Sequence, residues 1–277
     1  MQAFISTLLR RPLVRFGALT LCVLTVLAAA VPLLSPYAPD TLDIGARLLA
    51  PSAAHWFGTD EFGRDVLTRV LFGGRYSLAV GALVVAIAAV CGVLMGLCAG
   101  FFARLDTPIM RLVDALMALP DILLAIALLA ILGASLMNVV LALAIVYTPR
   151  MERIVRASTL VVRELLYVEA ARALGVPTWR ILFVHILGNT VSPILVQASF
   201  IFAYAILAEA GLSFLGLGVP PELPTWGTMI ASGQNYSDQA MWLVLIPGLA
   251  IVLAALSLQM VGDGLRDMLD PRLRQNL

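Results

Sequence analysis

The chain alternates between long apolar stretches and shorter polar segments. A helix needs about 20 mainly apolar residues to cross a hydrocarbon core of about 30 Å, and six stretches are candidates for such a span. They cover residues 16–34, 77–102, 109–132, 136–147, 188–208 and 241–261. The fourth is short unless it continues into the arginine-rich stretch behind it. The pattern predicts an all-α, polytopic membrane protein with six transmembrane helices.

Two of the six stretches have special features. The first is not followed by an A-x-A-like site, so it is predicted to be a retained span and not a cleaved signal. The third contains a Pro120-Asp121 pair. Because proline removes a backbone donor, we expect a kinked helix whose freed carbonyl and carboxylate are met by neighbouring helices or water. For Asp121, a structural role beside the kink and contact with a transported solute both stay open.

The segment between the first two spans, residues 35–76, begins with turn residues and ends in an amphipathic stretch. In that stretch, residues 65–72, Asp65 and Arg69 are spaced i, i+4, as charges on one helix face are. We expect this part to form an interfacial helix that lies along the membrane surface.

Two further polar segments are the proline-containing external loop 211–240 and the inner loop 150–187, which is the largest inner segment. The external loop is predicted to be ordered, either re-entrant or on the surface. The chain then divides into an N-terminal segment 1–15, a first span 16–34, an external segment 35–76, a five-helix core 77–261 and a tail 262–277.

Composition changes the picture mainly by exclusion. Of 277 residues, 61% are hydrophobic and 13% charged, with a mean hydropathy of +0.98, which argues against a soluble enzyme. All 18 basic residues are arginine, so a P-loop that needs its lysine cannot be built. His55 and His185 are far apart and the three cysteines lie in apolar runs, so we expect no metal cluster and no disulfide framework.

The charges separate to opposite sides of the predicted membrane. With the N-terminus inside, all arginines but Arg47, Arg64, Arg69 and Arg75 fall on the cytoplasmic side. The outer side receives the carboxylates of Asp40, Asp43, Asp60, Glu61, Asp65, Glu209, Glu222 and Asp238. This positive-inside bias predicts that both termini are cytoplasmic, and an even number of spans agrees with it.

The inner loop contains a predicted helix-turn-helix. Residues 165–174 are good helix formers, Gly175 stands where a left-handed cap is wanted, and Pro177 suits the start of a second helix over residues 178–183. Two faces are predicted. We expect the first, toward the membrane domain, to hold Leu166, Ala170, Ala173 and Leu174, and the second, toward a partner, to hold Tyr167, Ala171 and Trp179.

This loop resembles a known pattern. Glu169-Ala170-Ala171, then Gly175, then His185-Ile186-Leu187 is similar to the EAA loop of bacterial ABC importer permeases. In that family a short cytoplasmic helix docks in a cleft of a separate ATP-hydrolysing subunit. Gly188 stands where proline is usual, and His185 stands where isoleucine is common, a change familiar in the peptide branch.

Further motifs narrow the resemblance. Residues 55–65 and residues 211–218 with 226–227 are similar to external segments of the C-type permease of dipeptide, oligopeptide and nickel importers. Residues 262–267 and 270–272 also fit that family. Together the motifs cover nearly the whole chain, in the family's order and on its sides of the membrane.

The resemblance implies a type I ABC importer permease fold in the bacterial inner membrane. It implies a heterodimer with a related B-type permease, two ATP-binding subunits and an extracytoplasmic substrate-binding protein, with no nucleic acid. It also implies that the chain is a transport subunit and not an enzyme, that it binds no cofactor or metal itself, and that ATP and Mg are held by the partner ATPase subunits. Dipeptides, longer peptides, nickel chelates and other metallophores are the open substrate classes.

Two groups of site residues follow from the resemblance. The first is expected to couple the chain to the ATPase, with an ordinary interfacial helix as the alternative, and comprises Glu169, Ala170, Ala171, Arg172, Gly175 and Pro177. The second is expected to dock the binding protein or to gate the outer side, and comprises Asp60, Glu61, Arg64, Asp65, Glu209 and Trp226.

Alternatives stay open in the second group. Asp60, Glu61 and Asp65 are suitable metal ligands, but a turn with surface charge is the stronger interpretation. Glu209 either belongs to an outer gate or ends the fifth span in solvent.

Three glycines form a small-residue face in the second span. Gly92, Gly96 and Gly100 recur every four residues, which lets backbones approach closely. Packing within one chain and packing at a dimer interface are equally open.

Two other functions compete with the importer permease. An ion-coupled secondary transporter is expected to carry carboxylates near mid-membrane and repeated halves, whereas here Asp121 is the clear candidate carboxylate and no repeat is convincing. An intramembrane hydrolase needs a serine and a histidine, or paired aspartates, meeting in the bilayer. His185 and His55 are predicted to lie on opposite sides of the membrane, which disfavours it.

Overall fold

The computed structural model describes residues 11–269, which are mostly helical and contain no strand. Residues 1–10 of the predicted N-terminal segment, residues 270–277 of the predicted tail and the motif 270–272 lie outside them. The helices are α1 (Pro12–Leu34), α2 (Val66–Phe101), α3 (Ala103–Met117), α4 (Asp121–Leu132), α5 (Leu136–Val162), α6 (Leu166–Ala173), α7 (Thr178–Arg180), α8 (Leu187–Phe214), α9 (Trp226–Gly233) and α10 (Trp242–Leu269). Short 3-10 turns cover Ile44–Ala46 and Gln234–Tyr236.

Within residues 11–269, four helical segments are long and apolar enough to cross a membrane. They are α1, α2, the continuous segment of α7 and α8, and α10. A fifth is obtained if α3 and α4 count as one broken span, since they are bent by 93°. The predicted fourth span, residues 136–147, is the apolar first part of α5, whose second part carries several charges.

The break between α3 and α4 occurs where the sequence predicts a kink. Pro120 adopts φ −57° and ψ 135° and stands as the N-cap of α4, so the helical hydrogen bonds are interrupted here. The predicted single kinked span is therefore two helices with a sharp corner. At that corner Asp121 forms an ion pair with Arg150 of α5, so a neighbouring helix meets its carboxylate, as expected.

The amphipathic stretch 65–72 is not a separate surface helix, and that prediction is wrong. It is the first part of α2, whose 36 residues extend about 54 Å, longer than a membrane core. Asp65 caps the helix start, and no break follows it. Gly73 and Gly74 lie inside the continuous helix, and the Trp226 ring packs against them, 3.1 Å from the position that a Cβ of Gly74 would occupy.

The small-residue face of α2 packs within the chain. Cβ atoms added to Gly92, Gly96 and Gly100 would lie 2.6, 2.7 and 2.6 Å from the Cβ atoms of Met151, Val155 and Thr159 of α5, respectively. Such distances leave room only for hydrogen. Of the two arrangements left open by the sequence, the structure has the one in which α2 and α5 cross closely inside one chain.

Helix α5 is also tied to its neighbours by arginines along one side. Arg153 donates to Asp114 at 2.7 Å, and Arg156 binds both carboxylate oxygens of Asp106 at 2.6 and 2.8 Å. The third pair is Arg150 with Asp121. Moving toward the C-terminus of α5, the partners lie progressively nearer the N-terminus of α3, so the two helical segments are antiparallel. The charged part of α5 is thus compensated by acidic residues of the preceding helices.

The predicted fifth span continues further than expected at both ends. A π-helical turn, Ile181–Ile186, joins α7 to α8 without interruption, so Gly188 does not break the helix and the second inner helix is part of the span. At the other end α8 continues to Phe214, and Gly216 caps it with φ 75°. The predicted external loop 211–240 is ordered, as expected, and contains α9.

Candidate functional site

The inner site is built on α6. The C-terminus of this helix is where the sequence predicts it. Gly175 has φ 75°, the left-handed conformation that glycine adopts at little cost. The Gly175 N–H donates to the Arg172 carbonyl and the Val176 N–H to the Ala171 carbonyl, both at 3.0 Å. This is a Schellman motif, which confirms the predicted cap.

The face of α6 predicted to lie toward the membrane domain is exposed, and Ala171, predicted to lie toward a partner, is buried, so these predictions are wrong. Val168 and Ala171 are buried, and they pack with the core residues of α5 and the π-helical turn. Leu166 and Leu174 are 82% and 84% exposed, and Ala170 and Ala173 are exposed beside them. Residues three apart share a helix face. Because Val168 and Ala171 occupy the buried face, the residues predicted to face the membrane domain point to the other side.

Tyr167 and Trp179 are exposed, in line with their predicted direction toward a partner. We call the four exposed large side chains of this segment, Leu166, Tyr167, Leu174 and Trp179, the inner apolar face. Glu169 and Pro177 are exposed in the same segment. Apolar side chains on a polar segment mark an interaction surface better than scattered exposed ones do.

The inner apolar face is connected to α2 and α8. The Arg172 guanidinium lies over the Phe101 ring at 4.8 Å, and Arg163 donates to the Gly100 carbonyl at 2.7 Å. The Tyr167 hydroxyl accepts from Asn189 of α8 at 2.9 Å. Through α7 and the π-helical turn, the same segment continues directly into α8. These contacts link the segment around α6 to α2 and α8.

The outer site centres on Asp60, which is 5% exposed. One carboxylate oxygen accepts the N–H groups of Phe62 and Arg64, both at 2.9 Å. The other accepts from Arg64 Nε at 2.6 Å and lies 3.5 Å from Arg69 Nε. Glu61 has a longer contact, 3.5 Å, with Arg64. Asp60 thus holds a tight turn and two arginines together.

Asp65 forms a second buried anchor and is 6% exposed. Its carboxylate accepts from the Thr68 N–H at 2.8 Å and the Thr68 hydroxyl at 2.7 Å, which caps α2. The other oxygen lies 2.9 Å from His55 Nδ1. The predicted turn is present, but these carboxylates are not surface charges. In the part of the chain that the structure describes, no group of three potential ligands is placed to hold a metal ion.

Glu209 and Trp226 come together at the outer end of α8. Glu209 is buried, so the alternative of a solvated helix end is wrong. Its Oε1 accepts from Ser213 at 2.8 Å and from Thr225 at 2.7 Å. Trp226 is also buried, and its Nε1 donates to the Val70 carbonyl at 2.9 Å. This junction joins α8 and α9 to the start of α2.

The structure groups the site residues into three places. The inner six lie on one segment, Asp60, Glu61, Arg64 and Asp65 lie in one turn, and Glu209 and Trp226 meet at the outer junction. Sequence reasoning missed Arg69 and Thr225 as their partners. The i, i+4 spacing of Arg69 suggested Asp65 as its partner, whereas the side chain reaches back to Asp60.

Known proteins resemble the chain in sequence along most of its length. A family described as binding-protein-dependent transport system inner membrane component matches residues 88–275, and one described as the N-terminal TM domain of oligopeptide transport permease C matches residues 1–51. The dipeptide transport system permease protein DppC of Alkalihalophilus pseudofirmus is 44% identical over 93% of this chain and 85% of its own. The di/tripeptide permease DppC of Pseudomonas aeruginosa is 44% identical over 93% and 88%, respectively.

Solved structures resemble the chain in fold. A chain of the MetNI methionine ABC transporter, in inward facing conformations, superposes with a TM-score of 0.59 over 73% of this chain and 96% of that one, at 17% identity. A chain of an amino acid ABC transporter gives 0.54 over 75% and 94%, also at 17% identity. At such identity the likeness concerns the fold of ABC transporter permeases. With its family match over more than half its length, this multi-pass membrane chain belongs to the inner membrane components of binding-protein-dependent transport systems.

Proposed function

We propose that the chain is the C-type permease subunit of an ATP-driven importer for di- or oligopeptides or related small solutes. A substrate-binding protein delivers the solute, a related B-type permease completes the pathway, and two separate subunits hydrolyse ATP. The observation that carries this proposal is the inner apolar face, exposed on a short helix that is tied to α2 and α8.

The inner apolar face supports docking to an ATP-hydrolysing subunit. Burying one leucine side chain is worth about 1.5–3 kcal/mol, so covering Leu166 and Leu174 would stabilise a complex substantially. The chain has no lysine for a P-loop, so the nucleotide site belongs to another subunit. Closure of the ATP-binding subunits would move α6, and through Arg172 and Tyr167 it would move α2 and α8.

The proposed topology has six spans with both termini in the cytoplasm. In this topology α3 and α4 form one broken span and α5 another. The arginines of α5 need not exclude it from the membrane, because Asp121, Asp114 and Asp106 compensate three of them. The inner apolar face then lies on the cytoplasmic side, and Asp60 and Glu209 lie on the external side.

The external site is proposed to dock the binding protein and to gate the outer side. Asp60, Arg64 and Asp65 would act by holding the turn in shape, because their charged groups are used within the chain. Trp56 and Phe62, exposed on the same turn, would provide contact area. Glu209 and Trp226 would transmit a change at the docking surface to α8 and α2.

The test uses the complete transporter reconstituted in vesicles with its binding protein. Depleting ATP is expected to abolish peptide uptake, whereas an uncoupler is not. Uptake that persists without ATP and collapses with the uncoupler would indicate an ion-coupled transporter instead.

A variant of the inner segment tests the coupling part. Nothing lies within 4 Å of the position that a Cβ of Gly175 would occupy, so Gly175→Trp disturbs the outside of the segment more than the core. We expect the variant to be inserted and folded but to lose uptake. Normal uptake by this variant would contradict coupling through α6.

A further inference from the structure

A cluster of charged and aromatic side chains lies where α4, α5 and α8 meet. The Arg150 guanidinium forms an ion pair with Asp121 and lies over the rings of Tyr147 and Tyr204, 5.4 Å from each ring centre. The Tyr147 hydroxyl is 3.4 Å from the Tyr204 carbonyl, which ties α5 to α8. We call these four residues the mid-membrane cluster.

The cluster lies far from both ends of its helices. At 1.5 Å per residue, Arg150 is about 21 Å from the first residue of α5 and about 18 Å from its last. Tyr204 is about 15 Å from the end of α8 at Phe214. In the proposed six-span topology all of α5 belongs to a span, so these distances put the cluster within the membrane, and Arg150 is part of the span and not one of the cytoplasmic arginines that the sequence alone predicts.

The cluster is nevertheless partly open. The side chains of Arg150 and Asp121 are 32% and 40% exposed, and Tyr204 is exposed beside them. Charged groups at this depth are too costly to face lipid and instead face protein or a water-filled cavity. The open side of the cluster therefore belongs to the surface that lines a path or meets another permease.

Two neighbouring ion pairs lack this arrangement. Arg153 with Asp114 and Arg156 with Asp106 lie further along α5 and serve as internal comparisons. Neither Arg153 nor Arg156 has an aromatic ring at cation-π distance within residues 11–269. Arg156 binds both carboxylate oxygens of Asp106, whereas Arg150 and Arg153 each meet their carboxylate through a single nitrogen. The aromatic rings are therefore what separates Arg150 from Arg153.

We propose that the mid-membrane cluster is a binding station for the two termini of a zwitterionic peptide on its way through the membrane. The Arg150 guanidinium takes the peptide carboxylate, the Asp121 carboxylate takes the peptide ammonium group, and the Tyr204 ring covers the backbone between them. This inference rests on the proposed function and assigns residues of the pathway to it.

Charge balance makes the exchange inexpensive. With no peptide bound, Arg150 and Asp121 neutralise each other. A zwitterion that inserts between them replaces one opposite-charge contact by two, and no net charge is moved into the core. The two tyrosine rings hold the guanidinium in place during the exchange, since a cation is attracted to the ring faces.

The experiment compares peptide uptake by complete transporters that differ only in this chain. Each is reconstituted with the same binding protein and given a dipeptide with free ends, its C-terminal amide, or its N-acetyl form. The binding protein is identical throughout, so its own selectivity cancels when uptake ratios are compared between variants. ATP hydrolysis stimulated by the loaded binding protein is measured in parallel.

Arg150→Gln is expected to lower the uptake ratio of free dipeptide to amide about tenfold, the effect of one charge-assisted hydrogen bond. Asp121→Asn is expected to lower the ratio of free to N-acetyl dipeptide by a similar factor. The matched control, Arg153→Gln, is expected to leave both ratios unchanged. Stimulated ATP hydrolysis is expected to continue in all three variants.

A second measurement does not depend on uptake of the blocked peptides. A photoactivatable dipeptide, added during turnover, is expected to label α5 or α8 near Tyr147 and Tyr204 in the wild-type chain and in Arg153→Gln. Labelling is expected to be lost in Arg150→Gln. If Arg150→Gln does not assemble, Tyr204→Leu carries the test, with the same direction of change in the amide ratio and in labelling.

The outcomes separate the two proposals. A wild-type complex that moves no peptide with ATP overturns the proposed function. A complex that moves peptide, but whose ratios and labelling are the same in Arg150→Gln and Arg153→Gln, overturns the binding station alone. That second result would assign the cluster to the contact with the other permease.

Discussion

The residues before α2, 35–65, and those between α5 and α8, 163–187, differ in where their side chains find partners. In the proposed topology they lie on opposite sides of the membrane, and we call them the external segment and the inner segment. In the external segment Asp60 and Asp65 are buried and each accepts several hydrogen bonds from the same chain. In the inner segment the large side chains of the inner apolar face are exposed. The first segment buries its carboxylates against its own chain while Leu42, Ile44 and Trp56 stay exposed, and the second exposes its large apolar side chains on and next to a short helix.

This comparison shows that polar side chains can stabilise a loop from inside, while apolar side chains can remain on its surface. Polar residues hold the external segment in one shape, because buried carboxylates with all their partners fix a turn. The inner segment is held by Arg172 on Phe101 and by the buried Val168 and Ala171, and its large apolar side chains have no cover within residues 11–269. A fixed surface suits the recognition of a visiting protein, and an open apolar surface suits a lasting subunit contact.

The largest expected effect comes from making the inner apolar face polar. Replacing both Leu166 and Leu174 by glutamate is expected to weaken binding of the ATP-hydrolysing subunit at least about a hundredfold, because two leucines no longer become buried. The measurement is co-purification of that subunit together with ATP-driven uptake.

The matched control uses exposed apolar residues of the external segment. Leu42 and Ile44 are also exposed, and their double replacement by glutamate is expected to leave co-purification intact. Equal losses in both double variants would erase the distinction between the segments.

The second expected effect is on stability and comes from breaking the buried charge contacts of the external segment. Asp60→Asn removes the charged partner of the buried Arg69 and leaves Arg64 with only the 3.5 Å contact to Glu61, which is expected to lower the free energy of unfolding by about 3–5 kcal/mol. Thermal unfolding of the purified permease checks this. Glu61→Gln, which removes a single 3.5 Å contact, is expected to change stability by less than about 1 kcal/mol. An unfolding temperature equally insensitive to both would mean that these charge contacts do not stabilise the segment.

The smallest effect separates two glycines with the same backbone conformation. Gly58 and Gly175 both have φ 75°. Gly175→Ala is expected to cost about 1–2 kcal/mol from the left-handed conformation alone. Gly58→Ala adds a clash, because its Cβ would lie 2.6 Å from the Leu49 carbonyl oxygen, and is expected to cost about 1–3 kcal/mol more. Unfolding of the two variants side by side gives the comparison, and a larger loss for Gly175→Ala would reverse it.

Sequence predicted best what depends on neighbouring residues. The cap at Gly175 and the break at Pro120 follow from backbone rules that operate within a few residues. The family also followed from local motifs in the right order. In contrast, the direction of α6 depends on how Val168 and Ala171 fit the distant π-helical turn, and helix periodicity alone permits either face to turn inward.

The same distinction holds at the external site. Local spacing pairs Arg69 with Asp65, but the turn between Gly58 and Gly63 brings Asp60 to it instead. The separate surface helix predicted from residues 65–72 is wrong because α2 is continuous across Gly73 and Gly74, where the Trp226 ring packs closely. Each of these errors concerns a contact between residues distant in sequence.

The antiparallel ion pairs between α5 and α3–α4 also have a consequence for biogenesis. A nascent helix that carries Arg150, Arg153 and Arg156 is a poor substrate for insertion by itself. Their acidic partners precede them in the chain and are synthesised first, so they can pair with the arginines as α5 emerges. These partners are Asp106, Asp114 and Asp121. We therefore expect α3, α4 and α5 to leave the translocon as one hairpin, with their charges paired before lipid surrounds them.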